Sequence, residues 1–110
     1  MSKLRSSIRV DYSVSVQYRK QGAIDWIRCK LFNLSSSGVK IESKFRLKEQ
    51  DLIEIRFPLG TEIIECIGRA INVKDKSDHL PTSGVEFENI SAVDINIIQE
   101  YLHSILFDSK

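Results

Sequence analysis

Between Val10 and Tyr18 the chain alternates without a fault: Val10, Tyr12, Val14, Val16 and Tyr18 are separated by Asp11, Ser13, Ser15 and Gln17. A repeat of two matches only a strand with one face buried, and β-branched and aromatic residues favour that state. The same rhythm returns along the chain. A second strand is predicted over 25–32, with Ile27, Cys29 and Leu31 on one face and Trp26, Arg28 and Lys30 on the other. A third covers 39–43, with Val39 and Ile41 inward, and a fourth covers 52–57, with Ile53, Ile55 and Phe57 inward. Pro58-Leu59-Gly60-Thr61 reads as a hairpin-type turn. A long fifth strand is expected over 62–74, its apolar phase shifting around Gly68 from Ile64 and Cys66 to Ile67, Ile71 and Val73. A glycine at such a shift suggests a bulge. A polar loop over 75–83 leads to a last strand, Gly84-Val85-Glu86-Phe87-Glu88.

At Ser91 the period changes. Ser91 fits an N-cap, and Asp94 falls three positions later, where a carboxylate suits a helix N-terminus. Val93, Ile97, Ile98, Tyr101, Leu102, Ile105 and Leu106 then recur at helical spacing, giving one amphipathic helix over 91–107. Six strands with short connections followed by a helix predict an all-β fold, a six-stranded antiparallel β-barrel with a C-terminal α-helix. The charged connection 44–50 carries Phe45 and Leu47, which are expected to cover an open barrel end. The helix stripe is wide, so part of it either packs on the barrel or forms an interface with a second copy or a partner. Monomer and homodimer both remain open.

At 110 residues the chain is read as one domain: a flexible tail over 1–8, a barrel over 9–89 and the helix. A net charge of +1 argues against a general nucleic-acid binder, whose affinity comes from a basic excess. Any anion must then be met by a few placed residues. No run of eighteen apolar residues occurs, so no membrane insertion is expected. The first residues, Met-Ser-Lys-Leu-Arg-Ser-Ser-Ile, lack the apolar core of a secretion signal, which implies a cytoplasmic protein. Cys29 and Cys66 lie in apolar segments and are read as buried free thiols.

Two stretches stand outside the packing pattern. Phe32-Asn33-Leu34-Ser35-Ser36-Ser37-Gly38 puts an amide, three hydroxyls and a glycine between two strands. Asn and Ser side chains bond to nearby backbone groups and shape turns, and such a turn can gather donors as anion-binding nests do. Gly38 can take positive φ or admit close approach of a backbone or a ligand. The other stretch is Arg5-Ser-Ser-Ile-Arg9, just ahead of the first strand.

Arg5-Ser-Ser-Ile-Arg9 resembles the RxxxR motif of PilZ domains, and Asn33-Leu-Ser35-Ser-Ser-Gly38 resembles their [D/N]xSxxG motif. Either alone is weak, since arginines in a basic tail are ordinarily solvated and an Asn-Ser turn is ordinarily only a turn. Both in order, with the closing helix in place, make a specific signal that covers nearly the whole chain. The resemblance implies a receptor for the bacterial second messenger cyclic di-GMP, with Arg5, Arg9, Asn33, Ser35 and Gly38 as its ligand-binding residues. Arginine suits that ligand, because its guanidinium grips phosphate bidentately and also pairs with or stacks on guanine. Leu4 stands where several relatives carry another arginine, which implies one ligand per chain. A tail that folds over the ligand would create a new surface for a protein effector in trans, in motility, biofilm or polysaccharide control.

An alternative is a PilZ-like adaptor that binds no nucleotide and works through protein contacts. Catalysis is not expected. The serines have no activating histidine in view, and His79 and His103 have no partner at a useful spacing. No cofactor and no metal site are expected either. Trp26 can stack on a base, although a solvent-facing or helix-packed role is the more ordinary one.

Overall fold

The computed structural model describes residues 14–76 and 79–108. The expectations for the tail, for Val10 and Tyr12, and for Arg5 and Arg9 lie outside the described residues. Six strands follow one another: β1 (Val14–Lys20), β2 (Ile27–Leu34), β3 (Gly38–Glu42), β4 (Leu52–Leu59), β5 (Glu62–Lys76) and β6 (His79–Asn89). They close into a barrel in the order β1-β2-β3-β6-β5-β4, every pair antiparallel. Closure gives every strand a hydrogen-bonded neighbour on each side, so none of the six is an edge strand.

The interior is filled by the residues that the alternation selects. Val16, Tyr18, Cys29, Leu31, Val39, Ile41, Ile53, Ile55 and Phe57 are all buried. Phe57 stacks on Phe87, with ring centroids 6.4 Å apart. Tyr18 brings a hydroxyl into this core, and Ser43 answers it at 2.8 Å. An unpaired hydroxyl there would cost about 1–3 kcal/mol. The connection 43–51 crosses one side of the barrel and rides along β5, where the Gln50 N–H donates to the Ala70 carbonyl and the Ala70 N–H to the Asp51 carbonyl. It buries Leu47 as expected, but leaves Phe45 58% exposed.

Two expectations for the last strands are corrected. On β5 the inward phase runs Ile64, Cys66, Gly68 and Ala70 without a break, so the shift is not at Gly68. It comes at Asn72, whose φ is +52. Pairing with β6 runs Ile71↔Gly84 and then Lys74↔Thr82: three steps on β5 against two on β6, a one-residue bulge. A register irregularity does lie at Ile67/Gly68, where a bulge is expected, but Ile67↔Asn89 gives way to Gly68↔Phe87, so the extra residue is on β6 and the phase of β5 is unchanged. The polar stretch 75–83 is not a loop. β5 continues to Lys76, β6 begins at His79, and Lys76 pairs with His79. Polar residues there read as loop because a strand end outside the core has no apolar face to show.

The helix α1 (Ala92–Asp108) begins where Ser91 caps it, the Asp94 N–H donating to Ser91 Oγ at 3.0 Å. It rests on β4 and β5 and sends Ile98 and Leu102 into the core. Ile97 and Tyr101 pack at the margin, whereas Val93, placed in the stripe by its spacing, is 68% exposed. Among the described residues no helix is long and apolar enough to cross a membrane.

Cys29 on β2 and Cys66 on β5 are free and buried, and burial pushes each thiol up from 9.0 to about 12. An unfolded thiol ionises near 9 and a folded one only near 12, so above pH 9 unfolding releases protons. Stability is therefore expected to be intact below pH 9 and to fall as the pH climbs from 9 towards 12. Urea melts at pH 7.5, 9 and 10.5, beside a Cys29→Ala/Cys66→Ala variant, would show it. An identical alkaline loss in the variant would remove the thiols as its cause.

Candidate ligand site

The path from β2 to β3 begins with a break in register. Phe32 pairs with Lys40 and Leu34 with Val39, so Asn33 is extra, and its φ is +68. Asparagine is among the few residues that accept this left-handed geometry. The bulge lets Leu34 drop into the core and turns the next residues along the barrel rim. Ser35 then organises the turn. Its side chain is buried, and Oγ accepts the N–H groups of Ser37 and Gly38, both at 3.2 Å. The Ser35 N–H donates to the Gly38 carbonyl at 2.9 Å, and the Phe87 N–H donates to that of Ser37, also at 2.9 Å. The turn is thus tied to itself and to β6.

Gly38 does not need positive φ. Its reason is steric, since a Cβ there would run into the Val85 carbonyl oxygen of β6. The glycine is required so that the β3 and β6 backbones can meet. Gly84 opposes Lys40 on β3 and Ile71 on β5, and a Cβ there would stand 3.2 Å from Ile71 Cγ1. Both glycines line a depression on the outer face of β3, β6 and β5.

That depression is a cleft of about 300 Å³. Asn33, Ser35, Ser37 and Gly38 line one end. Lys40, Gly84 and Ile71 lie across its middle, Asn72, Lys74 and Thr82 form the wall on the β5 side, and Glu86 joins beside Gly38. Lys40 also holds its Nζ over the Phe32 ring, 5.9 Å from the centroid. Asn33, Ser35 and Gly38, expected together from their spacing, therefore share one cleft with two lysines and with Gly84. Arg5 and Arg9 lie outside the described residues. The β5 and β6 wall has no signature in the sequence, because its residues come from distant strands and carry no local spacing.

Trp26 is neither solvent-facing nor packed on the helix. The guanidiniums of Arg56 and Arg19 lie over its ring, 3.8 and 4.3 Å from the centroid. Arg19 is held in turn by Glu54 at 2.8 Å and Arg56 by Gln17 at 2.9 Å. This cluster belongs to the outer face of β1 and β4, away from the cleft. Among the described residues no group of histidine, cysteine or carboxylate side chains is arranged to hold a metal.

The geometry separates support from contact. Ser35→Ala removes the acceptor for two N–H groups and is expected to cost about 1–3 kcal/mol of stability. Gly38→Ala forces β3 away from β6 and is expected to cost about 1–3 kcal/mol. Denaturant melts check both. Wild-type midpoints in either variant would show that the turn is held by something else.

The PilZ domain family model matches residues 3–104. A search of curated proteins finds no match. Among solved structures, the chain is similar to the Bacillus subtilis inhibitor of motility MotI/DgrA, with TM-score 0.82 and 17% identity over 96% of this chain and 53% of that one. It is also similar to the PilZ domain of CeSA from a cellulose-synthesizing bacterium (TM-score 0.68, 13% identity, covering 91% of this chain and 99% of that one). A third likeness is to YcgR from Escherichia coli in complex with c-di-GMP (TM-score 0.66, 16% identity, covering 94% and 46%). The chain spans about half the length of MotI/DgrA and of YcgR. With the family model matched over nearly its whole length and the barrel, turn and closing helix all present, this chain belongs to the PilZ domain family.

Proposed function

We propose that the protein is a cytoplasmic, non-enzymatic receptor for cyclic di-GMP that passes its signal to a protein effector. The observation that carries this reading is the cleft itself, in which the [D/N]xSxxG residues form one end of a hollow floored by backbone. A flat base fits against such a floor, and the turn offers an amide and an exposed hydroxyl, those of Asn33 and Ser37, at its rim. Two of the similar structures, YcgR and PlzA from Borreliella burgdorferi, are complexes with c-di-GMP.

Chain geometry supports a role for the arginine pair. Val14 pairs with Leu31, two positions before Asn33 on β2. Arg9 precedes Val14 by five residues, a span of at most about 17 Å when extended. A guanidinium there is within reach of the cleft. The two arginines would take the phosphates and guanine edges from the side that the barrel leaves open, one ligand to each chain. Closing the segment over the ligand would build a surface absent before binding, and an effector would read that surface.

Calorimetric titration with cyclic di-GMP, with cyclic di-AMP as control, tests the reading. The expected result is selective, saturable binding with Kd at or below about 10 μM, roughly −7 kcal/mol. Arg9→Ala is expected to weaken it at least about tenfold. Flat traces for the wild type, or an Arg9→Ala variant that binds as tightly as the wild type, would sink the proposal.

A further inference from the structure

The bulge in β5 controls which way its last residues face. Up to Ala70 the even-numbered positions point into the barrel: Ile64, Cys66, Gly68 and Ala70 are all buried. Had the strand run on without interruption, Asn72 and Lys74 would also have pointed inward, and an ammonium group would have entered an apolar core. The extra residue at Asn72 reverses the parity. Val73 packs against the core instead, and Lys74 stands exposed on the outer face, lining the cleft opposite Thr82. Among the described residues Lys74 makes no ion pair.

A left-handed, non-glycine residue is held only where its surroundings fix it. Here a single side chain does so. Glu49, from the connection between β3 and β4, accepts the Asn72 N–H at 3.1 Å and the Val73 N–H at 2.7 Å, one on each carboxylate oxygen. These donors have lost their ladder partners to the bulge, and the carboxylate supplies both at once.

Charge along the cleft is uneven. Glu86, the carboxylate among the lining residues, pairs with Gly38 at the turn end. Lys74 pairs with Thr82, four positions further along β6, about 13 Å away at the rise of a strand. Lys40 leans towards Phe32 on the β2 side. Lys74 is thus the cation at the β5 wall, set across from the turn, while the Glu49 carboxylate there is taken up by the Asn72 and Val73 N–H groups.

We propose that Lys74 binds a phosphate of the cyclic dinucleotide at this wall, and that Glu49, through the Asn72 bulge, is the positioning residue that aims it. The proposal rests on the reading of the cleft as a cyclic di-GMP site. A ligand with two phosphates needs cations on two sides. Lys74 supplies one of them, at the end of the cleft away from the turn.

The test is a set of titrations of the full chain with cyclic di-GMP. Lys74→Gln is expected to weaken binding about tenfold while Lys74→Arg retains it, since the charge is what matters. Glu49→Gln, which keeps the size but offers one acceptor oxygen in place of two, is expected to weaken binding roughly fivefold. In a Lys74→Gln background Glu49→Gln should change binding by less than about twofold, a coupling that general loosening of the barrel would not produce. Lys74 is exposed, so thermal melts of its variants should match the wild type. If the wild type binds and Lys74→Gln binds as well, this proposal is overturned while the receptor reading stands. If the two substitutions prove additive, Glu49 loses its role. No binding by the wild type overturns both readings.

Discussion

Ring closure is the constraint on which the rest of this structure depends. In an open sheet the outermost strands can slip or twist to relieve strain. In a closed barrel each strand is fixed on both sides, and a register that satisfies one neighbour must also satisfy the other. Six strands of unequal length cannot do this with uniform pairing. The mismatch is absorbed by extra residues at Asn33, at Asn72, and on β6 both opposite Gly68 and between His79 and Thr82. Those at Asn33 and Asn72 border the cleft. The site is therefore not an addition to the barrel. It lies where closure forces the pairing to break.

The same logic explains the chemistry of the residues involved. A bulge or a tight turn leaves backbone donors without ladder partners, and a site near the core must return them. In the β2–β3 turn a serine hydroxyl takes the N–H groups of Ser37 and Gly38, and at the β5 bulge a carboxylate takes those of Asn72 and Val73. Ser35 and Glu49 are thus equivalent devices from opposite ends of the cleft, although only Ser35 belongs to a recognisable motif. Ser35 is also buried, so its two hydrogen bonds to the turn come before any contact with a ligand. Gly38 acts on the fold in the same way, through the Val85 carbonyl.

Most of the architecture is legible in the sequence because burial on one face writes itself into alternate positions. Val16, Tyr18, Ile53, Ile55 and Phe57 are where the pattern puts them, and Ser91 caps the helix as its neighbours suggest. What escapes is non-local. Glycine is the usual mark of a bulge and points to Gly68, whereas an asparagine carries the phase change and a glutamate twenty-three residues earlier holds it. The strand ends at 75–83 escape because they project beyond the core, so no apolar face distinguishes them from a loop. On the site, Asn33, Ser35 and Gly38 are found through local spacing. The opposite wall is assembled only when β6 comes to lie between β3 and β5.

The glycine floor has a thermodynamic side. Long side chains that line a binding surface lose rotational freedom when a ligand settles on them, and that loss subtracts from affinity. At Gly38 and Gly84 there are no rotamers to freeze, and the backbone beneath is already immobilised, at Gly38 by β6 and the Ser35 turn and at Gly84 by β3 and β5. A planar group resting there meets a surface whose disorder was removed when the chain folded. The entropic cost of occupancy is then concentrated in the polar rim and in the segments that close over it, where a few substitutions can retune affinity without disturbing the barrel.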